Sequence, residues 1–537
     1  MNSLRELSHL LPELLIAAGF VLVLVVDLAT AGTRRRKTML LLVTLGILAV
    51  TLTAALQASA QPQEVFLGQL AIDPLGHFFR LLFLATTATV VCASALSTEL
   101  PQDNLGEYLA LLLAMTLGLC LMASAADLLT AYLGLELVSI VGYALAGFRL
   151  HDRRASEAAL KYVVYGGAAS GLMLFGISLL YGLLGSTKLA PLHDLLHLWL
   201  LHLWHASQGG AEAAFPWMLA TAFALLFVGI GFKIAAVPLH MWAPDVYEGA
   251  PTPFAGFLSV GPKAAGFALL VRFLLAAFVA PGTRGGFATD FAGMMHPGTT
   301  LPISGFIGVF AALTMTVGNI AALPQTNVKR LLAYSSIAHA GYLLMGVSVF
   351  SSSGLHAVLL YLVIYYVMNL GAFVVCQAVR DRWGGEHLQH FSGLGYREPL
   401  LAVCMTVFLL SLTGLPPMAG FVGKFYLFAA VLERGGSWFV LLAIVGVLNS
   451  AVSLYYYMQV VRAMFLREAK TPHQNAIGWG YRTIALALAI PTVGLCVQWG
   501  GLSRAAHGAL DICRGQNAGP QPQTAEAAKM TPWSDTP

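Results

Sequence analysis

Residues 217–263 read WMLATAFALLFVGIGFKIAAVPLHMWAPDVYEGAPTPFAGFLSVGPK. Apolar or small residues run unbroken to Phe232, and then comes Lys233 with no polar neighbour beside it. Pro238 interrupts the pattern and His240 follows; beyond an acidic loop at Asp245 and Glu248, a second apolar run holds Lys263. A lysine in mid-membrane costs roughly 2.5–3.5 kcal/mol, so such residues are uncommon and mark function. Desolvation favours the neutral amine, and a lysine that can lose its proton near neutral pH can relay protons. Proline lacks an N–H and breaks the helix. Backbone freed at membrane depth is tolerated only inside protein or beside a wet cavity. The stretch therefore reads as part of an ion path. A lysine snorkelling from a helix end is the competing reading.

The whole chain is of the same kind. Its 537 residues are 58% hydrophobic and 10% charged, with a mean hydropathy of +0.76, whereas soluble domains carry about 25% charged residues. This predicts an all-α polytopic membrane protein without a long soluble domain. A net charge of +4 is too small to imply nucleic acid. The six cysteines are scattered, with no CxxC or Cys/His cluster, so neither a metal site nor an iron–sulfur, haem or flavin motif is read in this chain. The first apolar run, from about Leu10, is a full span without a clear signal-peptide cleavage site.

At about twenty apolar residues per span, about fourteen transmembrane helices are predicted. They lie near 10–30, 38–57, 74–97, 107–123, 127–148, 156–184, 217–239, 252–279, 303–323, 328–350, 355–379, 399–432, 437–465 and 481–502. The segment 185–216 is an extramembrane loop; its histidines (His193, His197, His202, His205) suit a solvated amphipathic face better than a metal. Lys and Arg collect in the loops after odd-numbered spans, for example Arg34–Lys37, Arg149, Lys329, Arg380 and Arg462. Those loops are then cytoplasmic, and both termini face outward. The tail from about 503 is rich in Gly, Pro, Gln and Ala and is expected to be loose.

Span 12 echoes span 7: LTGLPPMAGFVGKFYLF has its own break at Gly414–Pro417, followed by Lys424. Two interrupted helices in corresponding positions mark a transport site in repeat transporters. Five spans separate them, which suggests two five-helix units, and an odd number of spans makes the repeats inverted. The division is 1–100 (three helices), 105–279 (helices 4–8), 300–466 (helices 9–13), 478–502 (helix 14) and a tail, 503–537.

Several charged residues fall inside spans. Glu136, near the middle of span 5, must be protonated or paired, and Lys233 is its natural partner; a structural ion pair is the alternative. Ser139 and Tyr143 share its face. Lys263 and Lys424 lie within spans 8 and 12 and read as functional. Lys161 opens span 6, but Glu157 four residues earlier makes an ordinary helix-end pair an equal reading. His240 has an ordinary pKa suited to proton transfer. His339 in span 10 is either a satisfied core histidine or a link between the halves. Tyr334, Tyr342, Tyr365 and Tyr366 default to packing.

FKIAAVPLHMWAPDVYEGAPTPFAGFLSVGPKAAGFALL, GLELVSIVGYAL, VKRLLAYSSIAHAGYLLMG and LTGLPPMAGFVGKFYLF resemble the antiporter-like subunits of respiratory complex I, the proton-pumping NADH:quinone oxidoreductase. APDVYEGAPTP with SVGPKAAGF is similar to the bacterial subunit N type in particular. The resemblance implies fourteen helices in two inverted five-helix repeats with broken helices 7 and 12. It implies a Glu136–Lys233 coupling pair, a Lys263–His240 relay, an exit through Lys424 and a role for Lys161. NADH, FMN, iron–sulfur clusters and quinone would belong to partner subunits, leaving this chain without a cofactor. Its partners would be other membrane-arm subunits, including the related subunit M and small membrane subunits, together with lipids and no nucleic acid. Its place would be the bacterial inner membrane. A subunit of a multisubunit sodium/proton antiporter shares the motif set, and a non-pumping scaffold is a further alternative.

Overall fold

Apolar runs separated by capping residues dictate a helical chain, and the computed structural model is one. It describes residues 2–58, 62–190, 192, 194, 196, 215–278, 303–468 and 477–510. The helices are α1 (Asn2–His9), α2 (Leu11–Ala29), α3 (Arg36–Gln57), α4 (Pro74–Leu96), α5 (Leu105–Ser124), α6 (Leu128–Ala146) and α7 (Arg153–Leu184). Then come α8 (Phe215–Ile234), α9 (Trp242–Gly249), α10 (Thr252–Phe278), α11 (Ile303–Ala322), α12 (Val328–Ser348) and α13 (Ser352–Trp383). The chain continues with α14 (Leu394–Arg397), α15 (Pro399–Thr413), α16 (Ala419–Arg434), α17 (Ser437–Leu466), α18 (Trp479–Val497) and α19 (Gly500–Ala509). Among the described residues twelve helices are long and apolar enough to cross a membrane; α8 and α15 contain shorter apolar stretches. A hairpin of β1 (Gln63–Val65) and β2 (Leu70–Ile72), paired Gln63 to Ile72, is the one sheet among the described residues.

Polar residues set the helix starts. Asp73, Asp127, Asp152, Asn327 and Ser351 each accept a backbone N–H at the first turn of α4, α6, α7, α12 and α13. Such caps satisfy donors that have no partner within the helix. Gly185, Gly384 and Gly414 end α7, α13 and α15 in the left-handed region, with φ of 71°, 76° and 89°, where a side chain would be strained.

Helices α10, α12 and α13 are buried almost all round and form the centre. By contrast α2, α3, α7, α11 and α17 keep apolar faces outward, as lipid contact requires. Buried ion pairs tie the centre to the periphery. Arg272 of α10 grips Asp73 through two bonds of 2.6 and 2.9 Å, and Arg80 of α4 meets Glu13 of α2 at 2.6 Å.

Three expectations change. The seventh span, expected to reach 239, ends as helix at Ile234, because Ala235 turns left-handed (φ 57°) ahead of Pro238. The acidic stretch read as a loop is helix α9. The break expected in the twelfth span, 399–432, is present: two helices are joined through Gly414–Met418. The tail expected to be loose from 503 continues as α19 to Ala509, packed on α4 and α13, with His356 bonded to Ser503 at 3.2 Å. The histidines at 193–205 and the tail beyond 510 lie outside the described residues.

Candidate functional site

The first break is built by a handful of polar contacts. Ala236 donates to the Gly231 carbonyl at 2.8 Å, and Trp242 Nε1 donates to the freed Phe232 carbonyl at 3.1 Å. Val237 N donates to Thr314 Oγ1 on α11 at 3.0 Å. Lys233 sits in the last turn of α8, 1% exposed, and its Nζ has no hydrogen-bond partner among the described residues. The nearest aromatic face is Phe232, at 5.9 Å. Glu136 on α6 is half-buried, and its Oε1 is likewise unpartnered. Its charge acts on Lys233, yet no ion pair within 4 Å joins them. The Tyr143 hydroxyl, also unpartnered, occupies the space that Gly166 leaves open: a Cβ there would lie 1.9 Å from it.

Lys263 follows Pro262 inside α10, is 2% exposed, and donates to Ser336 Oγ on α12. His339 lies one turn further along α12 and is 2% exposed. Its Nδ1 meets Tyr361 Oη at 2.6 Å and its Nε2 meets Tyr457 Oη at 3.3 Å. Both Lys263 and Lys424 lie near enough for their charges to act on it.

At the second break, Lys424 of α16 donates to the Thr413 carbonyl and to Ser450 Oγ, each at 2.8 Å, and lies 4.5 Å from the Tyr342 ring centroid. Gly414 is required twice over, by its φ of 89° and because a Cβ would come within 2.7 Å of the Lys424 Cδ.

Lys233, Lys263, His339 and Lys424 thus lie in the interior, while two sequence candidates lie apart. His240 is half-buried at the first break with an unpartnered Nδ1, and no hydrogen bond links it to Lys263. Lys161 is partly exposed and paired with Glu157 at 2.7 Å and Asp245 at 2.6 Å. Asp245 and Glu248 also take Arg330, at 2.7 and 2.9 Å, binding α7, α9 and α12 together. Burial works against the Asp245 charge, but Lys161 and Arg330 outweigh it and hold the carboxyl below its ordinary range.

Sequence reading missed several partners. Ser336, Tyr361, Tyr457 and Thr314 look like ordinary span residues, and only helical spacing (Ser336 and His339 three apart) hints at a shared face. It also counted Lys329 only as a basic residue of the loop after span 9. Lys329 is fully buried, bonded to Glu386 at 3.0 Å, the Ala250 carbonyl at 2.8 Å and Thr252 Oγ1 at 3.3 Å. Among the described residues no group of three His, Cys, Asp or Glu side chains is arranged to hold a metal.

The family model for NADH:quinone oxidoreductase/Mrp antiporter transmembrane proteins matches residues 125–450, which takes in both breaks and all the interior lysines. The chain belongs to that family. Among members of the NADH:quinone oxidoreductase/Mrp antiporter family, the chain is 47% identical over 527 residues to NADH-quinone oxidoreductase subunit N of Anaeromyxobacter sp. (strain Fw109-5), covering 96% of this chain and 98% of that one. It is 45% identical over 516 residues to NADH-quinone oxidoreductase subunit N 2 of Sorangium cellulosum (strain So ce56), covering 93% and 96%. A solved chain from respiratory complex I of Thermus thermophilus with bound aureothin superposes with a TM-score of 0.73 at 32% identity, over 93% of this chain and all of that one.

Proposed function

We propose that this chain is subunit N of a bacterial NADH:quinone oxidoreductase and that it moves protons through the membrane. Quinone reduction in other subunits would alter the charge state of Lys233 through Glu136. A proton would then travel by Lys263 to Lys424 and the outer side, with His339, His240 and Lys161 in supporting roles. NADH, FMN, iron–sulfur clusters and quinone belong to partner subunits. The neighbours of this chain are membrane-arm subunits, including the related subunit M, with lipids around them.

One observation carries this reading. Three interior lysines, 1%, 2% and 4% exposed, have no carboxylate within 4 Å among the described residues. Elsewhere in the same interior charges are paired: Arg272 with Asp73, Arg80 with Glu13, Lys329 with Glu386. Burying an ion unpaired costs several kcal/mol, and a scaffold would do better with leucine or methionine. A cation kept in that state is free to exchange its proton. The division into inverted repeats at 105–279 and 300–466 is supported by the similar breaks, each with a buried lysine within a turn or two. The outward direction of both termini rests on the loop charges.

The test is NADH-driven proton uptake by inside-out membrane vesicles carrying Lys233→Ala, Lys263→Ala or Lys424→Ala. Each variant should assemble and lose the share of pumping that this subunit contributes; wild-type pumping in all three would overturn the reading. Labelling of single cysteines near both termini by an impermeant reagent added outside tests the orientation.

A further inference from the structure

Between Lys263 and His339 the interior is furnished with hydroxyls. Ser336 is fully buried and takes the Lys263 ammonium. The Tyr247 ring centroid lies 6.0 Å from Lys263 Nζ, and among the described residues neither the Tyr247 nor the Tyr365 hydroxyl completes a hydrogen bond. Both rings are buried, at 0% and 2% exposed, and buried polar groups are ordinarily hydrogen-bonded. Ser336 and His339 stand on one face of α12, three residues apart. The Tyr365 ring lies 5.2 Å from the imidazole, centroid to centroid. Beyond His339, Tyr361 and Tyr457 engage its two nitrogens, and Tyr457 also meets Ser335 Oγ at 2.5 Å.

A hydroxyl donates one hydrogen bond while accepting others, which a lysine ammonium cannot do. We propose that Ser336 is a proton-relay residue which, with the Tyr365 hydroxyl, carries the proton from Lys263 to His339. This rests on the proton-moving reading above. A Lys263 N–H bond breaks as a bond forms to Ser336 Oγ. The proton that Ser336 already held passes to Tyr365 Oη, and the phenolic proton passes to the unprotonated imidazole nitrogen, which gives up its contact with Tyr361 or Tyr457 to accept it. Lys263 ends neutral and His339 cationic, while each hydroxyl keeps one proton throughout. His339 then releases a proton to Tyr361 or Tyr457, on the way to Lys424.

The experiment uses the whole complex in inside-out vesicles, with proton uptake per NADH oxidised measured for K263A, S336A, S336T and Y365F at matched complex content. K263A should lose this subunit's share of pumping. S336A and Y365F should lose the same share, and S336T should recover more than half of it. If K263A loses pumping while S336A pumps like wild type, the relay is overturned and the broader reading stands. If S336A fails but Y365F pumps like wild type, the Tyr365 step is overturned. If K263A itself pumps like wild type, Lys263 lies off the path and the relay is overturned, and the broader reading fails only if K233A and K424A also pump like wild type. Should S336A lower the complex content, S336T is compared with the near-isosteric S336V. Pumping by Thr alone supports the relay, and equal pumping by both overturns it.

Discussion

Lys233→Met should separate stability from function. The substitution replaces an ammonium that is 1% exposed and unpartnered among the described residues with an apolar side chain of similar length. A lysine at membrane depth costs roughly 2.5–3.5 kcal/mol, and among the described residues no ion pair or hydrogen bond offsets that here. The variant should therefore be more stable by up to about 3 kcal/mol. If the amine rests neutral, the cost of its unmet hydrogen bonds still gives the same sign, at about 1–3 kcal/mol. Glu386→Gln is the opposite case. It takes the negative charge away from Lys329, 0% exposed, leaving it neutral acceptors alone, and removes one of the carboxylates that Arg380 meets, at 2.9 Å. Breaking a buried pair costs about 3–5 kcal/mol. The assay is stepwise heating of the solubilised complex, scoring how much of this chain stays with it, beside proton pumping in vesicles. The midpoint should rise for Lys233→Met and fall for Glu386→Gln, with pumping lost in the first. A fall in both of similar size would refute the argument, because Lys233 would then be a structural cation like Lys329.

Three further outcomes are expected. Thr314→Val removes the acceptor for Val237 N and should destabilise the first break by about 1–3 kcal/mol, read by the same heating series; Thr314→Ser should behave as wild type. Gly166→Ala puts a methyl group 1.9 Å from the Tyr143 hydroxyl, and such overpacking costs about 1–3 kcal/mol; pumping should drop, and combining it with Tyr143→Ala should recover stability but not pumping. Asp245 has a folded pKa below its ordinary value, about 3.9 in an unfolded chain. Its contribution is therefore complete above about pH 4 and is lost as pH falls through the folded value. Protection of the 240–251 amides, taken relative to the intrinsic exchange rate at each pH, should fall on acidification through that range, and Asp245→Asn should show the lower protection already at pH 7.

Much of the site could be read from the chain because charge in an apolar run is conspicuous. Lys233, Lys263 and Lys424 stand out against spans of leucine, valine and phenylalanine, and Pro238 and Gly414–Pro417 announce breaks that the helices obey. Helix α9 was harder: Asp245 and Glu248 look like loop residues until Lys161 and Arg330, from two other helices, neutralise them. Lys329 was misjudged for the mirror-image reason. Next to Arg330 in a basic cluster it looks solvated, yet Glu386 and the Ala250 carbonyl draw it fully inside.

Hydropathy and helix signals are local. Twenty apolar residues cross a bilayer, and a proline denies its helix a hydrogen bond, whatever surrounds them. The membrane-spanning fold class, the two interrupted spans and the identity of the interior lysines were therefore decided by the amino-acid order alone. Whether a given lysine is held by a carboxylate, a hydroxyl or nothing was decided only by tertiary packing. Lys263 meets Ser336 across 73 positions and Val237 meets Thr314 across 77. The electrostatic energy of a buried ion depends on the atoms within a few ångströms of it, and those come from other helices.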